Sequence, residues 1–102
     1  MAYELRYLPI AQEDLIEIAD YISINLQNPI AAENTITKIE EAILERLESP
    51  ESFAIWQSSK KREYPYRRIN VGNYSVWYVV IGNIMEVRRI LYARRNEASL
   101  LQ

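Results

Sequence analysis

Apolar residues recur at steps of three and four through the first half of the chain, at Ala11, Leu15, Ile18, Ala19, Ile22 and Leu26, then at Ala32, Ile36, Ile39, Ile43 and Leu47. That period predicts two amphipathic helices. Between them Asn28-Pro29 supplies an N-cap followed by proline at the first helical position, and Ser49-Pro50 marks where the second helix stops. The short connection makes the pair an antiparallel hairpin. Acidic residues, among them Glu13, Asp14, Glu17, Asp20, Glu40 and Glu45, occupy the complementary positions and read as a solvated face.

In the second half the pattern changes to β-rich runs punctuated twice by Gly-Asn, in Val71-Gly72-Asn73-Tyr74 and Ile81-Gly82-Asn83-Ile84. Each is a two-residue hairpin signal. Pairing Val71 with Tyr74 and Ile81 with Ile84 fixes the register of a three-stranded meander over Tyr64 to Tyr92. Parity then assigns Ile69, Val71, Val76, Val80, Met85, Val87 and Leu91 to the face that packs on the helices, with Arg67 and Arg89 at its margins. The other face receives Tyr64, Tyr66, Arg68, Asn70, Ser75, Trp77, Glu86, Arg88 and Ile90, with Trp77 opposite both Arg68 and Arg88. With an opening strand over Ala2–Leu8, the expectation is an α+β domain, strand, two helices and three strands, in which a helical hairpin covers one face of an antiparallel sheet.

Composition narrows the chemistry. With 102 residues, 49 % apolar and 25 % charged, the chain has the makeup of one ordinary globular domain, 1–102. It contains no Cys and no His, so disulfides, Cys/His metal sites, thiol nucleophiles and histidine-dependent triads are excluded together. No metal and no cofactor are expected. No basic stretch followed by an apolar run opens the chain and no apolar run could span a bilayer, so the expected location is the cytoplasm.

The net charge of −2 conceals an asymmetry: residues 1–51 carry three basic groups against eleven acids, and residues 52–102 carry nine against three. A basic half of this kind can engage a polyanion or an acidic partner segment. Trp77 between Arg68 and Arg88 suggests a stacking and phosphate-binding platform, or else a self-satisfied cluster on the sheet surface. Lys60-Lys61-Arg62 could extend that surface or be a solvated loop, and Tyr92 with Arg94-Arg95 could serve a site where the last strand ends. Eight tyrosines and two tryptophans also suit protein recognition.

The ordered pattern, from Tyr3–Leu8 through Pro9-Ile10-Ala11-Gln12-Glu13-Asp14-Leu15 with Asp20-Tyr21-Ile22, resembles the first helix of RelE/ParE-superfamily toxins. Tyr66-Arg67-Arg68-Ile69-Asn70-Val71-Gly72-Asn73-Tyr74 and Val87-Arg88-Arg89-Ile90-Leu91-Tyr92-Ala93-Arg94-Arg95-Asn96 resemble the family's strand core, so the likeness runs from about Tyr3 to Leu100. It implies the toxin of a type II toxin–antitoxin pair, held inactive in a hetero-oligomer by a cognate antitoxin. Partner contacts would then involve Lys60, Lys61, Arg62, Tyr66, Arg68, Trp77, Arg88, Tyr92, Arg94 and Arg95.

The superfamily's RelE-like branch cleaves mRNA on the ribosome, and its ParE-like branch poisons DNA gyrase. In the nuclease branch, basic groups stabilise the scissile phosphate while a base assists the 2′-hydroxyl. Arg68, Arg88, Tyr92 and Arg94 would fill those roles here. The sequence departs from that branch at Ser75, where an Arg is expected after Tyr74, and at Tyr92, where many members carry His. These departures and the uninterrupted helical hairpin favour a ParE-like gyrase inhibitor. The alternatives are a ribosome-dependent endoribonuclease and a non-toxic binding scaffold of the same fold.

Overall fold

The computed structural model describes residues 2–56 and 63–93. Strand β1 (Glu4–Tyr7) leads into helix α1 (Pro9–Asp20), a π-helical turn (Tyr21–Asn25), helix α2 (Pro29–Arg46) and strands β2 (Arg67–Val71), β3 (Tyr74–Ile81) and β4 (Ile84–Tyr92). The order matches the sequence expectation. Leu8 is extended and Pro9 stands in the first turn of α1, where a missing N–H disrupts nothing. Asn28 caps α2, its Oδ1 accepting the Ala31 N–H at 3.1 Å.

The expected helix over Ala11–Leu26 does not stay α-helical to its end. From Tyr21 it widens into π geometry, closed by the Leu26 N–H donating to the Tyr21 carbonyl, and Gln27 then takes a positive φ of 51° before α2 begins. Apolar periodicity cannot distinguish an α turn from a single π turn, because both present nearly the same residues inward.

Strand order in the sheet is β1-β4-β3-β2. Both turns form as expected, with Val71 opposite Tyr74 and Ile81 opposite Ile84. Gly72 and Gly82 take φ of 57° and 61° at the first turn position, the pattern of a type II′ hairpin, for which glycine is suited. Three expectations need correction. The sheet is mixed rather than wholly antiparallel, since β1 pairs parallel to β4 with Arg6 opposite Glu86. The meander begins at Arg67 rather than Tyr64, because Pro65 has no N–H to give a ladder.

The third correction concerns β4. A bulge between the Trp77 and Tyr78 pairings sets Tyr78 against Val87 but Trp77 against Arg89, so Arg88 is the extra residue and does not oppose Trp77. One added residue reverses the parity beyond it. Ile90 therefore joins the helix-packed core and Leu91 the opposite side, the reverse of the alternation read from sequence. That core joins Ala11, Ile39 and Ile43 of the helices to Ile69, Val76, Tyr78, Met85 and Val87 of the sheet. Among the described residues, no helix is long and apolar enough to cross a membrane.

Candidate functional site

The sheet face turned away from the helices carries a second, smaller cluster of Tyr66, Trp77, Val79 and Leu91. Trp77 is 0 % exposed, so its ring is not the open stacking platform that the alternating pattern suggests. The cover comes from the segment after α2: Ile55 bridges to Arg67, the Trp56 N–H donates to the Tyr66 carbonyl at 2.7 Å, and Trp56 meets Trp77 edge to face at 5.2 Å. Tyr66 closes the other side at 6.2 Å, also edge to face. Such perpendicular aromatic contacts suit the ring quadrupoles and bury a large apolar area. The sequence reading misses Trp56, although the short run Phe53-Ala54-Ile55-Trp56 between α2 and the basic stretch is its signal.

Cations ring this cluster. The Arg68 guanidinium lies 5.4 Å from the Trp77 ring centroid, and that of Arg88 lies 6.0 Å from the Tyr66 centroid. Glu86, 5 % exposed, sits between two arginines and accepts from Arg88 Nε at 3.0 Å and from Arg6 Nε at 2.8 Å. A second Arg6 nitrogen approaches Glu86 at 2.6 Å. The parallel β1–β4 register brings Arg6 here, a partner that cannot be assigned while the position of β1 is open. Two arginines on one carboxylate leave this group one positive charge in excess. The arrangement is suited to holding an acidic side chain or a phosphate at the surface.

Tyr92 lies elsewhere. It pairs across the hairpin with Tyr74, and the two rings meet edge to face at 5.7 Å. Tyr74 packs on the helix-side core, so Tyr92 occupies the helix side while Tyr66, Trp77 and Arg88 belong to the opposite side. The three described residues of the nuclease reading, Arg68, Arg88 and Tyr92, are thereby not gathered into one site. Lys60, Lys61, Arg62, Arg94 and Arg95 lie outside the described residues.

A third group fastens the open part of β4. Beyond Val87 that edge has no strand beside it among the described residues, since β1 ends at Tyr7. Asp14 of α1 takes the strand's place: Oδ2 accepts the Ile90 N–H at 2.9 Å and Arg89 Nε at 2.9 Å, and Oδ1 accepts Arg89 Nη2 at 3.0 Å. The Asp14 hydrogen bond, outweighing burial, pushes the Arg89 guanidinium further up from its ordinary value. Near the other edge, Arg46 of α2 stacks 3.6 Å from the Phe53 ring centroid and donates to the Tyr78 hydroxyl at 2.8 Å, while that hydroxyl donates to the Pro50 carbonyl at 2.7 Å. Burial pushes the Tyr78 phenol up, against the opposing pull of Arg46. Among the described residues no cluster of acidic or other ligand side chains could hold a metal ion.

Known proteins share this fold. A chain from the chromosomal ParDE toxin–antitoxin system of P. aeruginosa has the same fold with a TM-score of 0.76 at 20 % identity, over 90 % of this chain and 97 % of that one. The E. coli toxin RelE, as a double arginine-to-alanine mutant in the free state, superposes with a TM-score of 0.65 at 18 % identity, over 98 % and 93 % of the two chains. The intact E. coli RelBE toxin–antitoxin complex contains a chain that matches with a TM-score of 0.59 at 18 % identity, over 92 % and 100 %. Among curated proteins none matches in sequence. The profile of the family described as ParE toxin of type II toxin–antitoxin system, parDE, matches residues 5–97. Spanning nearly the whole chain from β1 past the end of β4, that match shows the protein to be a member of the ParE toxin family of type II toxin–antitoxin systems.

Proposed function

We propose that this toxin inhibits bacterial growth by acting on DNA gyrase and that a cognate antitoxin neutralises it. The observation that carries the choice between targets is the separation of Tyr92 from Arg68 and Arg88 onto opposite sides of the sheet. A phosphodiester cleavage site needs its base and its phosphate-binding cations around one scissile bond, within hydrogen-bond reach. Here Tyr92 stands beside α1, and the carboxylate nearest Arg88 is already shared with Arg6. Ser75 supports the same reading, being small and 1 % exposed where the nuclease pattern would present an arginine. The far-side surface of Arg6, Arg68 and Arg88 suits protein contact, and an acidic antitoxin segment that folds on binding would find complementary charge there.

Induced expression in a bacterial host, with DNA-damage signalling and ribosome-bound mRNA followed in one culture, tests the reading. Growth arrest with DNA-damage signalling and intact mRNA is the expected result. Codon-phased mRNA cleavage would establish the ribosome-dependent nuclease instead, and absence of arrest would establish a non-toxic scaffold. Replacing Arg94 and Arg95 with Ala is expected to relieve the arrest while the product of the adjacent antitoxin gene still co-purifies.

A further inference from the structure

Where β3 begins and β4 ends, the described residues leave a cleft of about 550 Å³ between the hairpin and α1 with the π turn. That volume is in the range of sites for small groups. Tyr74 and Tyr92 form one wall as perpendicular rings, and Tyr21, 54 % exposed, stands on the other, carried there by the first residue of the π turn. Burial, reinforced by the nearby Tyr92 and Tyr21, pushes the Tyr74 phenol up. The walls are aromatic faces, each with a negative quadrupole.

The charge lining the cleft is of one sign. Its described lining contains Asp14 and Glu17 and no Lys or Arg. Asp14 is engaged by Arg89 and by the Ile90 N–H at the back of the cleft. Glu17 is exposed, lines the cleft and acts on Arg89 through space. An aromatic corner beside the Glu17 carboxylate selects a cation that is flat and weakly hydrated. A phosphate or nucleotide would meet repulsion from Glu17.

We propose that this cleft receives an arginine side chain from a peptide partner, with the guanidinium against the tyrosine faces and paired to Glu17. A lysine ammonium gains less, being more strongly hydrated and unable to stack as a plane. If the partner is the antitoxin, its toxin-binding segment supplies the arginine; only that attribution rests on the function proposed above.

The test is a titration of the full chain with the tripeptide acetyl-Gly-Arg-Gly-amide, following assigned tyrosine ring resonances, beside the same peptide with citrulline in place of arginine. The arginine peptide should move the rings of Tyr21, Tyr74 and Tyr92, and the citrulline peptide should bind at least about tenfold more weakly. Glu17→Gln should weaken arginine binding while leaving the spectrum of the unliganded protein otherwise intact. Equal binding of the two peptides, unmoved rings, or preferential movement by adenosine monophosphate would each overturn the proposal. So would movement of the unliganded tyrosine rings in a full-length Arg94→Gln/Arg95→Gln variant, which would give the cleft to the chain's own arginines. Peptide binding without antitoxin co-purification would remove the antitoxin attribution alone.

Discussion

Asp14 is the residue whose loss should destabilise the domain most through polar contacts. Its side chain is 8 % exposed and that of Arg89 is 18 % exposed, so neither charge is substantially screened by solvent. Truncation to alanine removes three hydrogen bonds together, two from the Arg89 guanidinium and one from the edge N–H of Ile90. Breaking a buried pair by removing one partner destabilises by about 3–5 kcal/mol. Against a total of about 5–15 kcal/mol for a domain of this kind, that is about a fifth or more of the margin. Asp14→Asn keeps an acceptor for Ile90 and loses the charge, so about 1–2 kcal/mol of the loss should be recovered. Urea unfolding should show the Asp14→Ala midpoint lowered by at least about 1 M. Adding Arg89→Met to Asp14→Ala should restore part of the stability, because the guanidinium that Asp14 neutralised is then gone as well. A loss below about 1 kcal/mol for Asp14→Ala, or a double variant that loses the sum of the two single effects, would refute the assignment.

Three further perturbations probe other parts of the structure. Tyr78→Phe removes the hydroxyl that joins Arg46 to the Pro50 carbonyl and should destabilise by about 1–3 kcal/mol in the same urea assay, with secondary structure unchanged by circular dichroism. Gly82→Ala at φ 61° meets no atom within 4 Å, so its penalty is conformational alone, about 1–2 kcal/mol, and Gly72→Ala should match it. Tyr7, Tyr74 and Tyr78 are all raised above the ordinary phenol value, chiefly by burial, so the folded state holds protons that the unfolded chain releases. Their contribution is fully present below about pH 10 and is lost as pH rises through the folded-state values, so denaturant midpoints should be flat in that respect to pH 10 and fall above it.

The sequence displays whatever depends on local period and turn chemistry. Helices α1 and α2 follow from spaced Ile, Leu and Ala, and the two Gly-Asn turns set the hairpin registers. What it conceals depends on contacts distant along the chain. The Arg88 bulge contains no glycine and leaves no mark on the alternation before it; it is stabilised where Asp14, 76 residues from Ile90, binds the β4 edge. Arg6 reaches Glu86 only through the parallel placement of β1, which no turn dictates. Trp77 looks exposed in the pattern because parity assigns a face without telling what lies over it, and the cover, Trp56, comes from an irregular segment. Tyr92 and Arg88 look like one site because they are four residues apart on one strand, and the bulge puts them on opposite sides.

The most direct test of the proposed target is made with purified components: DNA gyrase, relaxed plasmid and ATP, with this protein added alone and together with its co-expressed antitoxin. The account predicts loss of supercoiling with accumulation of gyrase-linked DNA breaks, reversed by the antitoxin. Undisturbed supercoiling, in the same preparation that cleaves mRNA on ribosomes, would contradict it.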